Sequence, residues 1–203
     1  SSKHTMVLAN DADSHKTCTG VKDVRYRTDK ITWLDEDVAT KVVLKEQVVV
    51  GKYSMEDYNF ETPSTDLLVN AAGDDAKKRL YEYPGGYMKK NLGQSRANLR
   101  LEAEELPKKS IVGDSHVRGL IAGHKIKLKE HPNTAVNANW VLLTLTTKAT
   151  AENYENKFTA FPVDTPYRPP LNTPKPRIAG TQTALVVGKS CVEIFTDKYG
   201  RIK

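Results

Sequence analysis

Prolines dominate one passage near the end of the chain and limit what that passage can become. Six of the ten prolines lie between residues 161 and 176, at positions 162, 166, 169, 170, 174 and 176. Each proline fixes its own φ angle and pushes the preceding residue towards extended conformations. We therefore expect a stiff, extended connector over residues 163–177. It separates a large N-terminal domain, residues 1–162, from a short C-terminal module, residues 178–203.

The C-terminal module has the pattern of a strand meander. Two β-branched runs, residues 178–188 and 191–196, are separated by turn-prone residues at Gly188-Lys-Ser190, and Asp197-Lys198 follows the second run. Such short runs between turn signals predict β-strands. We expect residues 178–203 to be the start of a small β module.

The N-terminal domain is predicted to be mainly β. Short alternating or apolar runs indicate strands over residues 4–10, 21–27, 31–33, 42–50, 67–69, 79–83, 120–123, 125–129, 140–146 and 154–161. The strand from Trp140 is the most apolar and should be central in its sheet. The glycines of Pro84-Gly-Gly86 predict a tight turn, because glycine reaches positive φ at little cost.

The sequence predicts one helix, Lys89 to Leu106, ended by Pro107. Its leucines and one alanine fall on one face at helical spacing and are expected to be buried: Leu92, Leu99, Ala103 and Leu106. Gly93 should weaken the first turn by about 1 kcal/mol relative to alanine. Many strands with one helix indicate a β-barrel-like domain.

Charge and cysteine content say little about partners. The formal net charge of +6 is spread along the chain, so it argues only weakly for an acidic partner. The row Lys125-Ile-Lys-Leu-Lys129 places three lysines on one strand face. A basic patch is one interpretation, but no aromatic residues alternate with these lysines, and we favour a solvated face without nucleic acid. Two distant cysteines, Cys18 and Cys191, do not form a disulfide framework.

Residues typical of active sites are present, but their spacing argues against an enzyme. Asp114-Ser-His116 has the residue types of a hydrolase triad, yet sequence neighbours cannot face one another as a triad requires. Gly188-Lys-Ser190 lacks the earlier glycine of a phosphate-binding loop. The five histidines do not have metal-ligand spacing, and the helix carboxylates Glu102, Glu104 and Glu105 are interpreted as a solvated face. We expect no catalytic residues, no cofactor and no metal.

Several motifs resemble the VgrG family, the spike proteins of type VI secretion, which are similar to hub and needle proteins of contractile phage tails. Near the C terminus these are Pro166-Tyr-Arg-Pro169, Gly180-Thr-Gln-Thr-Ala184, Val186-Val-Gly188 and the run from Glu193 to Ile202. Upstream, in the family's order, come His4-Thr-Met-Val-Leu8, Asp57-Tyr-Asn-Phe60, Glu82-Tyr-Pro-Gly-Gly-Tyr87, Arg100-Leu-Glu-Ala103 and Gly113-Asp-Ser115. Thr181 stands where the family usually has proline.

The resemblance implies a fold and two functional segments. The fold would be a β-barrel domain like that of phage tail hubs, with one helix, followed by the beginning of an OB-fold. The structural connector would include Pro166, Tyr167, Arg168, Pro169 and Pro170. The residues that open the OB-fold would be Gly180, Gln182, Thr183, Asp197, Tyr199, Gly200 and Arg201. We expect residues 163–177 to be ordered and packed against the barrel, with Tyr167 at least partly buried.

The resemblance also implies partners. A VgrG protein would be a homotrimer that docks on the secreted tube protein Hcp and carries a needle tipped by a PAAR protein. It would be assembled in the bacterial cytoplasm, puncture a target membrane and deliver effectors. An alternative is a VgrG carrier with an enzymatic effector domain beyond residue 203. A weaker alternative is an oligonucleotide-binding OB-fold.

Overall fold

A computed structural model describes residues 6, 11–21, 23–28, 36–188, 192 and 194–202. The predicted strands at 4–10 and 31–33 lie outside these residues, apart from Met6, which is not in a strand. The chain divides into two compact units, Ser1–Pro170 and Leu171–Lys203. The first unit contains a large sheet and a smaller layer of one sheet and one helix.

The large sheet, here called the barrel, has six strands in the order β1-β7-β8-β9-β6-β2. Their bounds are Val24–Arg25 (β1), Ala39–Glu46 (β2), Lys109–Ser115 (β6), Lys125–Lys129 (β7), Asn139–Ala149 (β8) and Tyr154–Pro162 (β9). All neighbours are antiparallel except β1 and β7. The sheet curls until its edges meet at one end, where Tyr26 bridges Ala39 and the Arg27 amide donates to the Ala39 carbonyl at 2.9 Å.

Side-chain alternation along the strands fills the barrel core. On β7, Ile126 and Leu128 are buried while Lys127 is exposed between them, because successive strand residues point to opposite faces. Trp140 on β8 is fully buried, and its indole nitrogen donates to the Val136 carbonyl at 2.9 Å. β8 lies between β7 and β9, which confirms its predicted central place.

The second part, here called the helix–sheet layer, consists of a three-stranded sheet and helix α1. The strands are Lys52–Met55 (β3), Val69–Ala72 (β4) and Arg79–Glu82 (β5), in the order β4-β3-β5. α1 spans Lys90–Glu105 and packs on β3 and β4. A short 3-10 turn, Leu106–Lys108, leads from α1 to β6.

The predicted buried face of α1 is wrong. The buried residues are Gly93, Ala97 and Leu101, whereas Leu92 and Leu99 are 52% and 46% exposed. Small residues on the inner face let the helix approach the sheet closely, and this closeness outweighs the apolar stripe on the other side. Leu106 is buried as predicted, but in a separate cluster on the barrel.

Tyr87 explains why a glycine occupies the first turns of α1. A Cβ atom on Gly93 would lie 2.4 Å from the Tyr87 ring. The Tyr87 hydroxyl lies beneath the helix and shares its one hydrogen between the Met55 and Leu67 carbonyls, at 2.9 and 2.7 Å. The glycine that helix propensity counts as a weakness is therefore a packing requirement. Gly86, with φ +74°, confirms the predicted turn before Tyr87.

Three strand predictions, at 120–123, 178–188 and 191–196, fail among the described residues. Residues 120–123 form a turn that ends at Gly123, with φ +80°. Residues 178–188 are not in a strand, nor are the described residues of 191–196 apart from a bridge at Thr196. In the second unit, Thr196 and Ile202 form a single antiparallel bridge around a turn. The OB-fold stays a prediction.

Candidate functional site

The connector begins at a small apolar cluster on the outer face of the barrel. Phe161 and Val141, from neighbouring strands, are buried together with Leu106 from the turn after α1, and Val163 packs against them. Three elements thus meet where β9 leaves the sheet: the barrel, the end of α1 and the connector.

Tyr167 continues this cluster. Its ring is stacked on Phe161, with centroids 5.9 Å apart and planes at 26°, and His15 contacts Phe161 edge-on from a second direction. Tyr167 is 37% exposed, so most of its surface is covered. The predicted partial burial of Tyr167 is confirmed.

Arg168 binds the helix. Its Nε lies 2.6 Å from a Glu102 carboxylate oxygen, and the two side chains are only 19% and 34% exposed. The sequence reasoning missed Glu102, which it assigned to a solvated face. The one available signal was its position in Arg100-Leu-Glu-Ala103, a motif that resembles the family.

The rest of the connector makes fewer contacts. Pro166 is half-buried, Pro169 and Pro170 are exposed, and every residue from 171 to 177 is exposed. Contact with the barrel or α1 is therefore confirmed for Val163, Tyr167 and Arg168. The connector is not extended at its start, because the Thr165 amide donates to the Pro162 carbonyl at 3.1 Å in a turn.

The residues predicted to open the OB-fold fall into two groups. Gly180, Gln182 and Thr183 are exposed and lie outside helices and strands. In the other group, Asp197 accepts hydrogen bonds from the amides of Tyr199 and Arg201 at 2.8 and 3.0 Å and from Arg201 Nε at 2.6 Å. The Arg201 amide is the main reason why the Asp197 pKa is lowered. Gly200 completes this turn with φ +78°.

Two motifs from distant parts of the sequence meet beside α1. The Asp57 carboxylate accepts hydrogen bonds from the amides of Tyr58, Gly86 and Tyr87, at 2.7, 2.5 and 3.0 Å. Burial opposes the charge on Asp57, but these amides together hold its pKa below the ordinary value. Asp57 thus fixes the turn that positions Tyr87 under the helix.

The opposite flank of α1 binds β5. Arg100 lies 3.5 Å from Glu82, and the Tyr53 hydroxyl donates to the same carboxylate at 2.7 Å. Burial, with help from Glu82, raises the Tyr53 pKa well above its ordinary value. α1 is therefore anchored to the sheet through Glu82.

The residues with catalytic chemistry have structural partners. The Ser115 hydroxyl is buried and donates to Asn156 at 2.5 Å, and His116 Nδ1 lies 2.8 Å from the Tyr154 carbonyl. In the described part of the chain, no three metal-binding side chains come together. Nor is any described helix long and apolar enough to cross a membrane. Of the lysine row on β7, Lys129 pairs with Asp23 at 2.6 Å.

A groove of about 760 Å³ lies between the first connector residues and the end of α1. Carboxylates and lysines share its lining, including Asp74, Glu105, Lys108 and Asp164. Burial, and then the nearby Asp74, raise the Glu105 pKa, while Lys108 pairs with Asp74. Four carboxylates, of Glu46, Asp74, Glu105 and Asp164, line the groove together with two lysines, so its lining is formally acidic.

The curled barrel with its helix–sheet layer has the fold of phage tail hub proteins. The family model for the phage tail baseplate hub (GPD) matches residues 1–153, and the chain belongs to this family. A prophage MuSo2 43 kDa tail protein from Shewanella oneidensis has the same fold: TM-score 0.55, 7% identity, 76% of this chain and 47% of that one. The E. coli c3393 protein, a component of the type VI secretion system, matches with TM-score 0.51, 20% identity, 95% of this chain and 38% of that one.

Relatives in sequence confirm the resemblance to VgrG proteins. The chain is 29% identical to the type VI secretion system spike protein VgrG1c of Pseudomonas aeruginosa, across 99% of this chain and 30% of that protein. It is 30% identical to VgrG1b of the same organism, across 100% of this chain and 29% of that protein. The chain thus spans about 30% of the length of these relatives.

Proposed function

We propose that this chain is part of the hub of a homotrimeric type VI secretion spike. The observation that carries the proposal is the docked first half of the connector, with Tyr167 on Phe161 and Arg168 on Glu102, in a chain of the baseplate hub family. A spike has to pass axial force from a wide hub to a narrow needle. A connector held on the hub by stacking and by an ion pair suits that task.

The partners we propose follow from the relatives' role as spike proteins. The trimer docks on the secreted tube protein Hcp, and the OB-fold that starts at residue 178 leads to a needle with a PAAR tip. The spike is assembled in the cytoplasm, is injected, punctures the target membrane and delivers effectors. Nucleic acid has no part in this function.

We further propose that residues 1–203 act mechanically and not as an enzyme. Ser115 and His116, the nearest approach to a catalytic set, are bonded to Asn156 and Tyr154. A second candidate, a carrier with an enzymatic effector domain beyond residue 203, has one specific observation in its favour. The actin cross-linking toxin VgrG1 of Vibrio cholerae is 26% identical over 99% of this chain, which covers only 20% of that protein.

Two measurements test the proposal. Light scattering of the full-length protein should give three times the chain mass, and a monomer at micromolar concentration would contradict it. Replacing Pro169, Pro170, Pro174 and Pro176 together by glycine should leave the hub folded, because these residues lie outside its core, yet impair secretion. Secretion at the wild-type level would refute the role given to the connector.

A further inference from the structure

Four motifs that are far apart in the sequence form one line of contacts that ends at the connector. Asp57 holds the turn before Tyr87, and Glu82, just before that turn, binds Arg100 of α1. Two residues further along α1, Glu102 binds Arg168 of the connector. We propose that α1 is the element that positions the connector on the hub, with Glu102 as the positioning residue.

Helix geometry explains how α1 can bind both partners. Each residue of an α-helix is rotated by about 100° from the one before it, so residues two apart point to nearly opposite sides of the axis. Arg100 therefore reaches towards β5 on one side, and Glu102 reaches towards the connector on the other. Each ion pair holds the helix from a different direction. The connector is therefore linked through α1 to the three-stranded sheet, in addition to its direct contact with the barrel.

The contacts also give the connector a direction. Val163 packs in the cluster of Leu106, and Arg168, five residues later, reaches Glu102, one helical turn earlier in α1. The first part of the connector thus runs back along the helix. Tyr167, stacked on Phe161, fixes the barrel side of the same segment.

Other helix carboxylates do not take this role. Glu104 is exposed, and Glu105 lines the groove beside Gly73 and Asp74. Glu104 is therefore a matched control: it has the same charge on the same helix but no connector partner in the described structure. The inference rests on the proposed function for its meaning in secretion, but it can be tested without secretion.

The test is chymotrypsin cleavage of the 203-residue chain after Tyr167, followed by mass spectrometry of the fragment that ends there. Residue 168 directly follows the cleaved bond, so each rate is divided by that of a short peptide with the same variant sequence around Tyr167. On this scale, E102Q and R168Q should each raise the cleavage rate about two- to fivefold, the factor expected from a partly buried ion pair. E104Q should leave the rate unchanged. The charge-exchanged double variant E102R/R168E should return the rate to that of the wild type. The melting temperature of every variant should stay at the wild-type value.

Three results would overturn the inference: an unchanged rate in both E102Q and R168Q, an equal increase in E104Q, or no rescue by the charge exchange. Faster cleavage in E102Q together with a normal secretion level would support Glu102 as the positioning residue. The same result would count against the proposed function of the connector in secretion. The two proposals therefore fail in different assays.

Discussion

The barrel and the helix–sheet layer differ in how many of their large apolar side chains they leave exposed. Among the described residues, the barrel strands and their loops leave three large apolar side chains exposed, Val43, Val48 and Ile121. The layer, residues 52–105, leaves eight exposed: Tyr58, Phe60, Leu68, Tyr81, Tyr83, Met88, Leu92 and Leu99. A curled sheet has one inner face, so alternation along its strands decides which side chains are buried there. A helix on an open sheet has two sides, and composition alone does not say which one is buried.

A truncation in the barrel core should cost more stability than any change in the layer. Phe158 is fully buried, and its ring fills the space beside Gly113. Phe158→Ala should lower the free energy of unfolding by about 3–5 kcal/mol, because removing a core ring leaves a cavity. Chemical denaturation measures it. If Phe158→Ala lowers the free energy of unfolding no more than a surface substitution does, the Phe158 ring is not enclosed by the barrel in solution.

A matched pair of leucines on α1 tests the layer. Leu101 is buried under the helix and Leu99 is 46% exposed. Leu101→Ala should cost about 2–5 kcal/mol, whereas Leu99→Ala should stay within about 0.5 kcal/mol, as is usual for surface substitutions. Both are measured in the same denaturation experiment. Equal losses would mean that the outer face of α1 is covered in solution.

The substitution Gly93→Ala tests whether helix propensity or packing against Tyr87 has the larger effect on stability. In an isolated helix, alanine would be favoured over glycine by about 1 kcal/mol. Here the added Cβ meets the Tyr87 ring at 2.4 Å, and Gly93→Ala should instead destabilise the layer by about 1–3 kcal/mol, the usual cost of overpacking. Thermal unfolding of Gly93→Ala beside the exposed-site control Ser95→Ala decides the sign. A more stable Gly93→Ala variant would contradict the close approach.

The pH dependence of stability that Asp57 gives the helix–sheet layer should be a smaller effect than those of the substitutions above. The folded-state pKa of Asp57 is depressed below its unfolded value, so its contribution is present above the unfolded pKa, about 3.9. That contribution is lost as pH falls through the lower folded pKa. In Asp57→Asn, stability should therefore fall less steeply below pH 4 than in the wild type. Parallel denaturation curves from pH 5 to pH 2 for the two proteins would contradict this.

Some features could be predicted because they depend on neighbours in the sequence. The strands Lys125–Lys129, Asn139–Ala149 and Tyr154–Pro162 are close to the predicted runs, since alternation and turn residues act locally. The turn at Gly86 and the existence of the helix follow for the same reason. The docking of Glu102 on Arg168 could not be predicted, because 66 residues separate the partners and a glutamate on a helix is most often solvated.

The stiffness of the proline connector stays a prediction. A mainly β chain with one helix could be predicted from the sequence alone, because strand alternation and helix spacing are local properties. Its motifs also determined the family. Only the tertiary structure decided which face of α1 is buried, because close packing on Tyr87 favours Gly93 and Ala97 over the larger leucines. It also decided where the connector is held, because stacking on Phe161 and pairing with Glu102 need three elements brought together in space.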